Sequence, residues 1–303
     1  MLGIWLGDPG TTPDPALARL YRYWGQGHVD TIPAQDELDL TGLLFGFAGR
    51  LPAAALLAEA EGMATQNQWV LALEPVRIGG AVGRTALEPS AMQESERAIL
   101  AQMQDHFSPL GQLRISQGRA FLFRDRPLDL QSRSIGDLWG QAPSSAALHG
   151  QDGKALWAIL NTVHMELQAL AEAQGQESSV LLWPWGEGQL PGGRIQGPWS
   201  GILGGGELWQ ATAQYLGIPY REEPPQELAL WRRENWFWAA SSKSWGGQEL
   251  AASLDVGERC LRLGQELQIY VGPTARGSIQ RLRLKRWDRW CFWRRPKVPG
   301  QKA

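Results

Sequence analysis

The sequence predicts an α/β fold: a mixed or mostly parallel sheet flanked by helices, then a Trp-rich helical segment and a C-terminal β-hairpin. Three observations carry this. Short apolar runs bounded by Gly and Pro alternate through the chain with stretches whose apolar residues recur at helical spacing. The longest such stretch, 154–174, keeps Leu156, Leu160, Val163, Leu167 and Leu170 on one stripe for about five turns. Near the C-terminus, 266–272 and 278–284 read as two strands joined by a loop holding Gly272, Pro273 and Gly277.

In chain order, Leu2–Leu6 reads as a short buried strand, and Pro13 and Pro15 in the following turn are placed to begin a helix. Residues 16–25, 36–49 and 52–62 read as three short helices separated by Gly and Pro. Residues 68–73 are a strand that Glu74-Pro75 is expected to end, since the residue before a proline is pushed out of helical geometry. Ser90, with Gln93 three residues on, has a capping-box pattern and opens a helix through His106 with Ile99, Met103 and Phe107 on one stripe. Strands 112–116 and 119–123 follow around a Gln-Gly turn. After the long helix, 180–188 reads as a buried central strand with a glycine turn at its carboxyl end. Gly204, Gly205 and Gly206 then lead into a helix from Glu207 to Leu216. Past Glu222 a linker-like break precedes Trp231, Trp236 and Trp238, read as helical. Two regions follow from this: an α/β domain over 1–222, and a Trp-rich segment with hairpin and basic tail over 223–303, packed on the first.

With 303 residues, 43% of them hydrophobic, the chain can bury one large core or two ordinary ones, which excludes a disordered or fibrous protein. The two cysteines, Cys260 and Cys291, form no CxxC pair and have no histidine at ligand spacing, which excludes a disulfide framework or a structural zinc site. The first residues lack a basic n-region, and no apolar run approaches the roughly 18 residues of a membrane span, so a soluble cytoplasmic protein without a transmembrane segment is expected. The net charge of −2 hides an asymmetry: residues 281–303 carry nine Lys or Arg against Asp288 alone. Arg286, Trp287, Arg289, Trp290, Trp293, Arg294 and Arg295 make a basic aromatic patch there, suited to phosphate backbones or an anionic surface. A tail packed down as the last strand and anchor of the domain is the alternative.

Chemistry-bearing motifs are sparse. The four histidines, His28, His106, His149 and His164, form no HxH or HExxH, and no DxD occurs. A metal site needs several ligands on one helical or loop face, so none is assigned, although His28 with Asp30 and Asp36, or His106 with Asp105, are the groups folding would have to gather. GxSxG, the P-loop and GxGxxG are absent, which removes the common hydrolase and nucleotide signatures. Two glycine segments remain as candidate ligand loops: Gly186, Glu187 and Gly188 after an apolar strand, and Gly204, Gly205 and Gly206 before a helix. Glycine allows close backbone approach, and free amides at a helix start can hold an anion. Neither loop carries its own Lys or Arg.

The succession of residues 73–80, 155–167, 181–191 and 282–296 resembles the bacterial RpfE-type regulatory proteins, which are often labelled cofactor-independent phosphoglycerate mutase-like. The resembling positions are Glu74-Pro75-Val76, the His164-Met165 pair and the W-x-W-G-x-G stretch from Trp183 to Gly188. The order holds from about residue 40 to the end. A further resemblance, to archaeal-type phosphoglycerate mutases, implies a strand and Gly-x-Gly turn at 180–188. The Asn and Arg that precede it in that family have no counterpart here, nor have the metal-binding His and Asp motifs or the nucleophilic Ser. The resemblance thus implies a shared fold without the catalytic set: a non-catalytic regulatory or scaffolding protein, needing no cofactor, with a vestigial small-anion pocket and a protein partner. Two alternatives stay open, a phosphoglycerate mutase-like phosphotransferase and a binder of nucleic acid or an anionic surface through the tail.

Overall fold

The computed structural model describes residues 2–6, 23, 27–32, 34, 36–79, 86–116, 118–133, 148–175, 180–193, 195–222, 235–239, 247–262, 265–271, 279–285 and 288. The chain divides into two units, Met1–Leu51 with Arg194–Ala303, and Pro52–Gly193. Residue 222, the expected boundary, lies inside the first unit, because strands on both sides of it belong to one sheet.

In the first unit, β1 (Leu2–Leu6), β2 (His28–Ile32), β8 (Gly201–Leu203), β9 (Tyr220–Arg221), β10 (Trp236–Ala239), β11 (Leu267–Val271) and β12 (Ile279–Leu284) form a seven-stranded sheet. Its order is β2-β12-β11-β1-β10-β8-β9. From β11 to β9 every pairing is parallel, whereas β12 and β2 are added antiparallel. The expected C-terminal hairpin is therefore present as β11-β12.

Trp236 and Trp238 stand in β10, a strand, where the sequence reading placed a helix. Trp236, Phe237, Trp238 and Ala239 are all buried between parallel neighbours, and an aromatic run buried on both faces suits a central parallel strand. Phe237 is the hub of the core on one face. Its ring centroid lies 5.2 Å from each of Phe45, Trp199 and Trp209. Phe45 arrives on α1 (Glu37–Phe45) and Trp209 on α5 (Glu207–Leu216). Helix α6 (Gly247–Arg262) packs against β1 and β11. Asp36 caps α1 by accepting the Asp39 amide at 2.8 Å, and Gly46, left-handed at φ +83°, ends it.

In the second unit, β3 (Trp69–Gly79), β4 (Ala86–Pro89), β5 (Gln112–Ile115), β6 (Ala120–Arg124) and β7 (Leu181–Gln189) form a five-stranded sheet whose pairings are all antiparallel. The expected mixed or mostly parallel sheet is thus the first unit's, and the second unit adds an antiparallel one that the reading did not include. Helices α3 (Glu94–Gln102) and α4 (Gln151–Ala173) enclose one core with this sheet, built around Leu71, Leu73, Leu100, Leu156, Leu160 and Val163. Helix α2 (Ala53–Ala60), with Ala53 to Ala58 buried, packs on β3 and β7.

Two local expectations are corrected. β3 runs through Pro75 to Gly79, because the restriction on the residue before a proline disfavours helix and leaves extended geometry free. The Pro75 carbonyl accepts from Ser90 N at 2.9 Å, so its missing N–H faces the same side, in the gap between the β6 and β4 pairings. Helix α3 begins three residues later than the Ser90 signal. Gln93 is the cap, with its amide donating to Glu96 at 2.6 Å, while Ser90 Oγ accepts from Arg77 Nε at 3.1 Å.

Candidate functional site

In the first unit the chain leaves the carboxyl end of β8 through α5 to β9 on one side, and the end of β10 through α6 to β11 on the other. The carboxyl ends of β8 and β10 therefore flank a topological switch point, the place where open α/β sheets hold ligands. Gly204, Gly205 and Gly206 occupy it. All three have left-handed backbones, at φ +65°, +85° and +80°, which only glycine adopts at low cost. A side chain at Gly205 would meet Trp209 Cδ1 at 2.2 Å, so this glycine lets the first turn of α5 close onto β8. Gly206 differs: nothing lies within 4 Å of where its Cβ would be. The cap position of α5 is Gly206, which has no side chain to offer; the Trp209 and Gln210 amides donate to its carbonyl at 3.1 Å, and the Gly204 amide donates to the Arg221 carbonyl at 2.8 Å. The Tyr220 hydroxyl accepts from the Gly206 amide, and burial is the main cause that pushes its pKa above the ordinary value. The turn is thus tied to β9 at both ends, through the Arg221 carbonyl and the Tyr220 hydroxyl, with open space beside the Gly206 Cα. Glu207 is the acid of the first helical turn.

Gly186, Glu187 and Gly188 take another form. They lie inside β7, which pairs only with β3 among the described residues, so the segment is an edge strand and not a central one. Trp185 is opposite Ala72 and Gly188 opposite Val70, so two residues of β7 face the single Leu71. This is a β-bulge with a glycine at φ +70° in its first position, a feature typical of strand edges. A Cβ on Gly186 would meet Ala53 Cβ at 3.0 Å, and one on Gly188 would meet Pro52 Cβ at 2.6 Å. The glycines let the start of α2 lie against the strand. The bulge turns Glu187 toward Ser132, whose amide donates to its carboxylate at 3.2 Å, with the Ser132 hydroxyl donating to the same group. Trp183 Nε1 donates to the Arg133 carbonyl at 2.8 Å, fastening the same segment to β7.

The acids and histidines singled out in the sequence have structural partners or are dispersed. Asp30 accepts from Arg281 Nε at 3.0 Å and also from its terminal nitrogen, with Arg283 3.5 Å away. The Arg281 hydrogen bonds hold the Asp30 carboxyl below the usual carboxylate range. Asp36 caps α1 and pairs with Arg50 at 2.6 Å. Asp105 and His106 are exposed on a 3₁₀ turn, Gln104–Phe107. His149 bridges to Gln131 through its backbone, and His164 Nδ1 lies 3.4 Å from the Val180 carbonyl. Among the described residues no three of His, Cys, Asp and Glu group so as to hold a metal ion. No helix among them is long and apolar enough to cross a membrane.

Arg286, Trp287, Arg289, Trp290, Trp293, Arg294 and Arg295 lie outside the described residues, as do Trp231 and Cys291. One polar group escaped the sequence reading, the cross-strand set of Asp30, Arg281 and Arg283. Its signal was the alternation of Arg281 and Arg283 along one strand, but which strand they would face is a matter of pairing.

No protein-family model and no curated protein sequence matches the chain, so membership of the RpfE-type family has no support beyond the motifs themselves. The chain is distantly similar in structure to the cofactor-independent phosphoglycerate mutase from Thermoplasma acidophilum DSM 1728, at 12% identity and a TM-score of 0.40, over 93% of this chain and 89% of that one. It is also similar to the PH0037 protein from Pyrococcus horikoshii, at 10% identity and a TM-score of 0.44, over 94% of this chain and 87% of that one. Likenesses this weak leave function open.

Proposed function

We propose that this chain is a non-catalytic protein of regulatory or scaffolding type that binds a small anion at the glycine turn 204–206. The carrying observation is the open Gly206 position: three positive-φ glycines at the carboxyl end of a parallel strand, at a topological switch point, leading into the N-terminus of a helix with nothing within 4 Å of where a Gly206 side chain would stand. Backbone amides suit an anion of low charge, such as a single phosphate monoester, because the turn brings no Lys or Arg of its own and Glu207 opposes dense negative charge. The engagement of Asp30 by Arg281, and of Asp36 by Arg50 and the Asp39 amide, supports the non-catalytic part. Carboxylates held by guanidinia make poor ligands for the paired divalent ions that metal-dependent phosphoryl transfer employs.

The test has two arms. Titration with 3-phosphoglycerate, followed by amide NMR, is expected to move the Gly206 and Leu208 resonances with saturation. Turnover of 3-phosphoglycerate in the presence of manganese, lost when the metal is chelated, overturns the non-catalytic reading. Absence of any saturable shift at 204–208 overturns the anion site.

A further inference from the structure

On one face of the antiparallel half of the first unit's sheet, polar side chains stand in two cross-strand rows. Tyr270, Arg281 and Asp30 pair across β11, β12 and β2 in the first row, and Gln268, Arg283 and His28 in the second. The first row is closed: Arg281 grips Asp30 through two nitrogens, and Tyr270 is 1% exposed with its hydroxyl donating to Gln268 at 2.5 Å. Gln268 is itself committed, donating to Glu266 at 2.8 Å.

The second row is left open at its outer end. Among the described residues Arg283 has one charged contact, to the Asp30 oxygen that Arg281 also holds, at 3.5 Å. Its Nε is buried and has no acceptor among the described residues. One carboxylate therefore faces two guanidinia, and a buried guanidinium N–H without an acceptor is a costly arrangement that calls for a partner. His28 stands directly opposite Arg283, exposed, on the edge strand β2. The Arg283 side chain is 39% exposed, so a ligand can reach it from solvent.

We propose that Arg283 and His28 form a binding site for a small oxyanion, separate from the glycine turn. The planar guanidinium fork matches two oxygens of a phosphate or carboxylate group, supplying the buried Nε with its acceptor, and the imidazole adds a third contact from the neighbouring strand. Asp30, two residues from His28 on the same edge strand, shares its single charge between two arginines and so leaves a net positive charge there.

The probe is inorganic phosphate, titrated into the full chain at constant ionic strength, with the His28 ring protons and the Arg283 side-chain Nε–H followed by NMR. Both sets of resonances are expected to shift with one saturable curve. Arg283→Gln is expected to weaken that curve roughly tenfold or more, the ratio set by losing one charge-assisted hydrogen bond. Arg283→Lys keeps the charge, loses the fork and is expected to weaken it by less. The Gly206 amide should be unaffected by either variant, which separates this site from the glycine turn. If Arg283→Gln fails to fold, the Lys variant and the Arg283 Nε–H of the unaltered protein carry the test. No saturable shift at His28, a shift equally strong in the Arg283 variants, or the same shift with chloride in place of phosphate overturns the proposal.

Discussion

Gly188→Ala tests what the W-x-W-G-x-G stretch is for. The new methyl group would sit 2.6 Å from Pro52 Cβ and 2.9 Å from Pro52 Cα, against ordinary contacts beyond 3.4 Å. Neither side yields easily. Pro52 is a rigid ring at the start of α2, and Ala53 to Ala58 behind it are all buried, so the helix cannot move without opening its own contacts. β7 is held by β3 along its length and by Ser132 at Glu187. Overpacking of this kind costs about 1–3 kcal/mol. For a unit of this size that corresponds to a fall in Tm of about 4–12 °C. Differential scanning calorimetry of Gly188→Ala beside Gly193→Ala, where nothing lies within 4 Å of the new Cβ, isolates the packing effect. If Gly188→Ala melts within a degree of the unaltered protein, the glycines are not there to admit α2, and their use as a ligand loop regains its place.

Gly206→Ala meets no steric neighbour, so its cost is the strain of holding an alanine at φ +80° and ψ −158°, a region almost confined to glycine, about 1–3 kcal/mol, measurable by urea unfolding. Trp183→Phe removes the donor that satisfies the Arg133 carbonyl and should destabilise the second unit by about 1–3 kcal/mol in the same assay. Asp30 has a folded-state pKa depressed by Arg281, so it contributes stability above its unfolded value of about 3.9, and that contribution is lost as pH falls through the lower folded value. Asp30→Asn should therefore flatten the acid limb of a stability-against-pH curve below about pH 4. Cys260 is buried, and burial pushes its thiol up to about 11. In a Cys291→Ser protein, a thiol reagent at pH 8 should find no reactive group until denaturant is added.

The alternation of apolar runs and helical stripes was legible in the sequence because it follows from local periodicity. Leu2–Leu6 is a strand, residues 37–45 and 53–60 are helices, the long helix spans Gln151–Ala173, and residues 267–271 and 279–284 pair as a hairpin. These elements are written in the spacing of apolar side chains and in Gly and Pro between them. The misreadings share a cause. Trp236 and Trp238 were placed in a helix because a short aromatic run has no period long enough to discriminate, and only parallel neighbours on both sides made it a strand. Pro75 was expected to stop β3, yet a proline interrupts a ladder only where a neighbour needs its N–H, and that depends on where β6 ends and β4 begins.

The candidate sites divide in the same way. The two glycine segments stand out in the sequence, but their difference does not: Gly188 is pressed against Pro52, while Gly206 opens onto free space. A glycine's φ is a local property, whereas what fills the place of its missing side chain comes from residues far along the chain. Asp30 and Arg281 are 251 positions apart and meet only because β12 lies beside β2. The sequence by itself determined where the chain extends, coils and turns, since those choices are made within a few residues. The tertiary structure alone decided which charges are neutralised, which glycines are open and which donor is left without an acceptor, because each depends on the pairing of distant strands.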